Sequence, residues 1–179
     1  MALIHGLSEK QITKIIMDLP IHVANHNAQR KWTVSGKTEA LLGVIVRAKE
    51  EGAIKEALLP IQVPSHGTLL SPVAKLVAKK LARTPLEGPR MMVGLASKAR
   101  LSDKVEEIAF DLSHGVQLPV MWYELQSLLQ ELGVTGIIAM PPSRSLIALA
   151  QEVWSDGYLL SGQDLDPRQL ASFLLSKDG

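Results

Sequence analysis

Over residues 2 to 63 the chain alternates between strand-like and helix-like apolar spacing in the order β-α-β-β-α-β, and that order constrains the fold more than any other feature. The opening run Ala2, Leu3, Ile4 is short and apolar. Leu7-Ser8-Glu9-Lys10-Gln11-Ile12 then carries a capping box, with Ser8 as N-cap, Gln11 three residues on, and Leu7 against Ile12 as a staple. Ile12, Ile15, Ile16 and Leu19 form one helical stripe, which Pro20 stops. Extended segments at 21–25 and 31–35 follow, joined through the turn-prone Asn25-His26-Asn27-Ala28. Leu41, Leu42, Ile45 and Ala48 predict a second helix, polar toward Arg47, Lys49, Glu50 and Glu51 and closed by Gly52; the last extended segment is 58–63.

This order is that of the split βαβ, ferredoxin-like arrangement, expected over residues 1–64. From 65 to 156 the pattern changes. Val73, Leu76, Val77 and Leu81 predict a helix opposite a face of Lys75, Lys79, Lys80 and Arg83, and 91–96 reads as a buried strand. Ser102 is placed to cap a helix bearing Val105, Ile108, Ala109 and Leu112, and Trp122, Leu125, Leu129 and Leu132 stripe another. Residues 134–140 are strand-like, Pro141-Pro142 breaks them, and Leu146, Leu149, Ala150 and Val153 begin a further helix. The expected class is α/β, with a parallel, helix-covered layer as the second subdomain. Residues 157–179 read as a tail, where Asp166 and Pro167 start a short helix with Leu170, Phe173 and Leu174.

The formal net charge is +1, so neither nucleic acid nor an anionic membrane is an expected partner. The absence of cysteine excludes disulfides, thiolate metal sites and a cysteine nucleophile, and accords with a reducing, cytoplasmic setting. No apolar run approaches the roughly 20 residues that span a bilayer.

The chemistry-bearing candidate is His66, in the loop Val63-Pro64-Ser65-His66-Gly67 between an expected strand and an expected helix. Pro64 holds Val63 extended, and Gly67 leaves the ring uncovered. An imidazole so placed suits acyl transfer, yet no G-x-S-x-G nucleophile elbow occurs in the 179 residues. His22 and His26 are four apart, a zinc spacing on a helix, but in a strand entering a turn they fall along one sheet face without a third ligand, so no metal is expected. His5 falls at a strand end and His114 at a helix terminus. Arg144 would offer a guanidinium to an anion or lie solvated beside a capping Ser143 or Ser145. The Lys75, Lys79, Lys80 and Arg83 face is either solvated or a docking face for an acidic carrier protein.

Four segments in the order HVANHNAQRKWTVSG, VPSHGTLLSP, LPVMWYELQSLLQELGV and IIAMPPSRSLIALA resemble the malonyl-CoA:acyl-carrier-protein transacylases, over nearly all of the chain before the tail. Serine before the histidine and Met140-Pro141-Pro142 in place of a glycine-rich turn look more like the malonate decarboxylase transacylase, its epsilon subunit. The resemblance implies that the second subdomain is the C-terminal part of an α/β-hydrolase-like acyltransferase subdomain. It also implies malonyl transfer from coenzyme A to a serine and on to a phosphopantetheine-type thiol of an acyl carrier protein, with no bound cofactor. By resemblance His66 is the general base, Asn25, Asn27, Val63 and Ser65 line the substrate site, and the segment 115–118 orients the histidine; Gly115 stands where the family commonly has a polar side chain, so the orientation is expected from backbone carbonyls or from Gln117. The family's serine, its carboxylate-clamping arginine and its oxyanion donors have no counterpart here. The chain alone is therefore expected to be inactive and to need an N-terminal acyltransferase half or malonate decarboxylase subunits as partners. A non-catalytic carrier-binding or scaffold module, or a stand-alone ferredoxin-like ligand-binding domain, remain alternatives.

Overall fold

A computed structural model describes residues 1–141, 145–154, 157–162 and 168, a mixed α/β chain that divides into two compact units, Met1–Leu128 and Leu129–Gly179. The first unit begins β1 (Ala2–His5), α1 (Glu9–Ile16), β2 (Ile21–Ala28), β3 (Lys31–Gly36), α2 (Thr38–Glu50) and β4 (Lys55–Leu58). It continues through a 3-10 turn (Thr68–Leu70), α3 (Ser71–Leu81), β5 (Val93–Leu95), β6 (Arg100–Ser102), α4 (Val105–His114), β7 (Val120–Met121) and the start of α5 (Trp122–Glu131), whose last three residues belong to the second unit.

The main sheet has the order β4-β1-β3-β2-β7. Its first four strands are antiparallel, and β7 joins the β2 edge in parallel, Asn25 opposite Val120 and His26 opposite Met121. Strand alternation aims Ala2 and Ile4 of β1, and Trp32 and Val34 of β3, at the same side. There Leu7, Ile12, Ile15, Leu41, Val44 and Ala48 complete a buried core under α1 and α2. The stripe of α2 is thus Leu41, Val44 and Ala48; Leu42, expected inside, is exposed, because one helical face only wide enough for a 3-4 repeat meets the sheet.

The capping box of α1 is complete. Ser8 Oγ accepts from the Gln11 N–H at 3.4 Å, and Gln11 Oε1 accepts from the Ser8 N–H at 3.0 Å. The same Gln11 amide donates to the Glu51 carbonyl at 3.2 Å, tying α1 to the end of α2. Nearby, Arg47 grips Asp18 with both guanidinium nitrogens, and that hydrogen bonding holds the exposed Asp18 carboxyl below its ordinary range. Ser8→Ala should cost about 1 kcal/mol in urea unfolding; an unchanged midpoint would mean the box contributes nothing.

Several sequence expectations shift. The turn after β2 lies at Gln29 and Arg30, not at 25–28, because the polar run Asn25-His26-Asn27 finds partners on β3 and two bulges absorb its extra residues. β4 is Lys55–Leu58 rather than 58–63: Pro60 cannot donate to a ladder, so the apolar residues beyond it leave the sheet, with Ile61 and Val63 exposed. The strand expected at 91–96 shortens to β5 and turns back as an antiparallel hairpin with β6, through Ala99 at φ 47. Asp111 secures that turn, its carboxylate accepting the Ala96 and Ser97 N–H groups at 3.2 and 3.1 Å. Ser102 sits two residues before the α4 N-cap, Lys104, accepting its N–H at 3.2 Å and donating to Glu107 at 2.6 Å. This bond, with Arg100 beside it, lowers the Glu107 carboxyl from its usual range.

In the second unit, β8 (Gly136–Ala139), α6 (Ser145–Gln151) and β9 (Tyr158–Ser161) form a βαβ with the strands parallel, Ile137 opposite Leu159. Residues 158–161, read from sequence as tail, are therefore a strand that pairs with β8. Ala139, Ala150 and Trp154 are buried in this unit. Ser143, Arg144 and the short helix expected after Asp166 and Pro167 lie outside the described residues. No helix among the described residues is long and apolar enough to cross a membrane.

Candidate active site around His66

His66 occupies the loop that leaves the sheet after β4, and its backbone is left-handed, at φ 61. Histidine is among the few residues with a side chain that visit this region, and such a conformation persists only where surroundings enforce it. Here the enforcement comes from the turn between α4 and β7. The His66 N–H donates to the Val116 carbonyl at 2.8 Å, and ring Nδ1 lies 2.7 Å from the Gly115 carbonyl oxygen and 3.1 Å from that of Leu118.

The local sequence explains why those carbonyls are presented. Gly115 ends α4 with its N–H on the Asp111 carbonyl at 2.7 Å, and a Cβ on Gly115 would stand 2.8 Å from that same oxygen. Gly115 therefore permits a turn too tight for a side chain, and its own carbonyl is left for His66. The N–H groups of Gln117 and Leu118 both return to the His114 carbonyl, at 2.9 and 3.0 Å, which curls the turn back toward the ring. Gln117 serves through its backbone, and the second carbonyl on the ring is that of Leu118, the last residue of the segment expected to orient it.

Carbonyl oxygens only accept, so Nδ1 must carry the proton. In the neutral ring the other nitrogen, Nε2, then holds a lone pair, and its orientation is fixed from behind by two acceptors. That is the tautomer and geometry of a general base.

Of the remaining candidates, Asn25 and Asn27 lie on the sheet face opposite α1 and α2, and Val63 and Ser65 in the loop before His66. Thr33 and Ser35 alternate with Trp32 and Val34 and so point away from the core. Their cross-strand partners Asn25 and His22 share that face, and Asn27 joins it by donating from Nδ2 to Thr33 Oγ1 at 3.1 Å. Val63 is exposed, and Ser65 is half-buried with its N–H on the Val63 carbonyl at 2.8 Å. His22 meets the His66 loop directly, its Nε2 2.8 Å from Thr68 Oγ1.

The bulge between Val23 and Asn25 overturns the expectation that His22 and His26 share a face: His22 pairs with Ser35 on the polar side, and His26 with Trp32 on the core side. His26 is 7% exposed, stacks on Trp32 with ring centres 3.6 Å apart, and sets Nδ1 2.5 Å from Glu124 Oε1 of α5. Among the described residues no group of three or more His, Asp or Glu is arranged to hold a metal ion. His114 stacks on Phe110 and places Nδ1 3.1 Å from the Phe110 carbonyl oxygen, a helix-terminal arrangement.

No family model matches the chain. Among curated proteins, the malonyl CoA-acyl carrier protein transacylase of Escherichia coli K12 is 25% identical over 157 residues, 86% of this chain and 51% of the relative. The chain is homologous, at low identity, to the malonyl-CoA:acyl carrier protein transacylases. It spans about half the length of the curated relatives it matches. A crystal structure of an acyl carrier protein S-malonyltransferase from Vibrio cholerae superposes with a TM-score of 0.87 at 26% identity, covering 96% of this chain and 57% of that one. A type II PKS acyl-carrier protein in complex with its malonyl-transacylase supplies another similar fold, with a TM-score of 0.88 at 23% identity over 98% of this chain and 57% of that one. The chain is thus similar in fold to a little over half of each of these structures.

Proposed function

We propose that this chain supplies the general base for transfer of a malonyl group from coenzyme A to the phosphopantetheine-type thiol of an acyl carrier protein. The observation that carries this reading is the His66 ring, with Nδ1 on the Gly115 and Leu118 carbonyls and Nε2 left for a proton. In the reaction a serine hydroxyl gives its proton to His66 Nε2 as its oxygen attacks the malonyl thioester. The coenzyme A thiolate then leaves and takes the proton from the imidazolium. The carrier thiol repeats the cycle in reverse, ending as the malonyl thioester with the serine restored.

The serine is not found in a G-x-S-x-G elbow within these residues. We place it, with the carboxylate clamp and oxyanion donors, in a polypeptide corresponding to the half of the relatives that this chain does not cover. In this reading β1 to β4 with α1 and α2 are the ferredoxin-like small subdomain. Asn25, Asn27, Val63 and Ser65 border the acyl group, and residues 65–156 belong to the large acyltransferase subdomain. Ser65 and Met140-Pro141-Pro142 favour the malonate decarboxylase branch, whose carrier would then be the thiol partner.

A second reading, a non-catalytic carrier-docking module, is favoured by one observation. Val73 and Leu76 of α3 are 41% and 68% exposed beside Lys79, Lys80 and Arg83, an apolar patch with a basic rim. Co-expression with the N-terminal half of a related transacylase separates the two. Mass spectrometry of the holo-carrier protein should show malonylation with both halves present and none with this chain alone. Turnover by the isolated chain would refute the divided site, and a stable complex with carrier protein but no transfer in any pairing would favour docking.

A further inference from the structure

We propose that His22 is a positioning residue for His66, bracing the two loop residues that follow it; this rests on the reading of His66 as the base. Two contacts carry it. His22 Nε2 lies 2.8 Å from Thr68 Oγ1, and its side chain packs close against Gly67: a Cβ at Gly67 would stand 3.0 Å from His22 Cδ2, 3.5 Å from Cγ and 3.6 Å from Cβ. Gly67 and Thr68 are the two residues directly after His66. The Val116 carbonyl holds the His66 N–H and His22 holds the two residues that follow, so the left-handed backbone at His66 is fixed at its own amide and just after it.

The bulge after Val23 is what puts His22 on this face, beside Ser35, while His26 goes to the core. A hydroxyl both donates and accepts, so Thr68 can pair with His22 Nε2 whether or not that nitrogen carries a proton. The brace is therefore a constant support and not a switch. Gly67 and His22 form a matched pair, in which the missing side chain at one is filled by the ring of the other.

The test reads the His66 ring itself by nitrogen-15 NMR on the full chain, well below the unfolding midpoint. In the wild type the Nδ1–H tautomer dominates. His22→Ala should lower the tautomer ratio about tenfold, the equivalent of losing one carbonyl hydrogen bond, and Thr68→Val should act in the same direction. Gly67→Ala should do likewise by pushing the His22 ring away, and the double variant should be no worse than His22→Ala alone, because the clash needs the ring. His22→Gln should restore most of the ratio. Paired with the serine-bearing half, His22→Ala should lower kcat about ten- to a hundredfold with KM unchanged. An unchanged His66 tautomer ratio in both His22→Ala and Thr68→Val, or additive effects of His22→Ala and Gly67→Ala, overturns the proposal. A wild-type pair with no transfer would instead count against the proposed function, while the tautomer ratio would still decide the role of His22.

Discussion

His66→Ala, in the chain paired with a serine-bearing half, is expected to lower kcat for malonyl transfer by about 10²- to 10⁴-fold, the range for removal of a positioned general base. The reasoning is geometric. Nε2 is the one ring nitrogen not engaged by a carbonyl, and with the ring gone a serine hydroxyl has no proton acceptor held at that place. Substrate contacts made by the other half persist, so KM should change little. Fold damage is separable, because His66 is only half-buried and lies outside the core under α1 and α2. An unfolding midpoint near wild type with collapsed kcat is the expected pair of results. Wild-type kcat in the variant would remove His66 from the chemistry.

The largest stability effect is expected at Trp32. Its side chain is 3% exposed, belongs to the core under α1 and α2, donates from Nε1 to the Leu7 carbonyl at 2.9 Å, and carries the His26 ring on its face. Trp32→Ala loses the buried ring, leaves the Leu7 carbonyl without its donor and frees His26, for a cost of about 3–5 kcal/mol. Against a typical total of about 5–15 kcal/mol this brings the chain close to unfolding at ordinary temperature. Because His26 also meets Glu124 of α5, the loss should extend to the β2–β7 edge, visible as faster amide exchange at Val120 and Met121. Trp32→Phe keeps the stack and should cost much less. A loss under about 1 kcal/mol in Trp32→Ala would show that the His26, Trp32 and Leu7 arrangement is not holding this corner.

What was legible in the sequence followed from local chemistry. The capping box at Ser8 and the β-α-β-β-α-β order each depend on residues close in the chain, and both are found, although α1 closes at Ile16 with Met17 as its C-cap, four residues before the expected stop at Pro20. The misplacements came from long-range partners. Asn25-His26-Asn27 has turn composition, yet Trp32 and Thr33 on the neighbouring strand and Glu124 on α5 keep it in β2. Residues 58–63 are mostly apolar, but β1 is only four residues long and has already paired with Lys55–Leu58. The partner of β8 is β9, beyond a helix, and nothing in Tyr158-Leu159-Leu160-Ser161 alone distinguishes it from a terminal segment.

At the site, His66 was visible because its ring is the functional group and its loop is marked by Pro64 and Gly67. Its supports were visible only in part, as the segment 115–118 expected to orient the ring through backbone carbonyls or Gln117. Backbone carbonyls carry no residue-type signal, so it took the structure to choose those of Gly115 and Leu118 over the Gln117 side chain. The role of His22 depends on a bulge that reverses the face of its strand, and strict two-residue alternation hides it. The one usable clue is glycine at 115, where the transacylase resemblance leads one to expect a polar side chain and the turn geometry leaves no room for a Cβ.

The most direct test of the central claim is the nitrogen-15 NMR signature of the His66 ring in the wild-type chain near neutral pH. A neutral ring protonated on Nδ1, with Nε2 bare and able to take a proton, is the predicted result. A ring protonated on Nε2 instead would mean that the Gly115 and Leu118 carbonyls do not hold it, and the assignment of His66 as the base would be wrong.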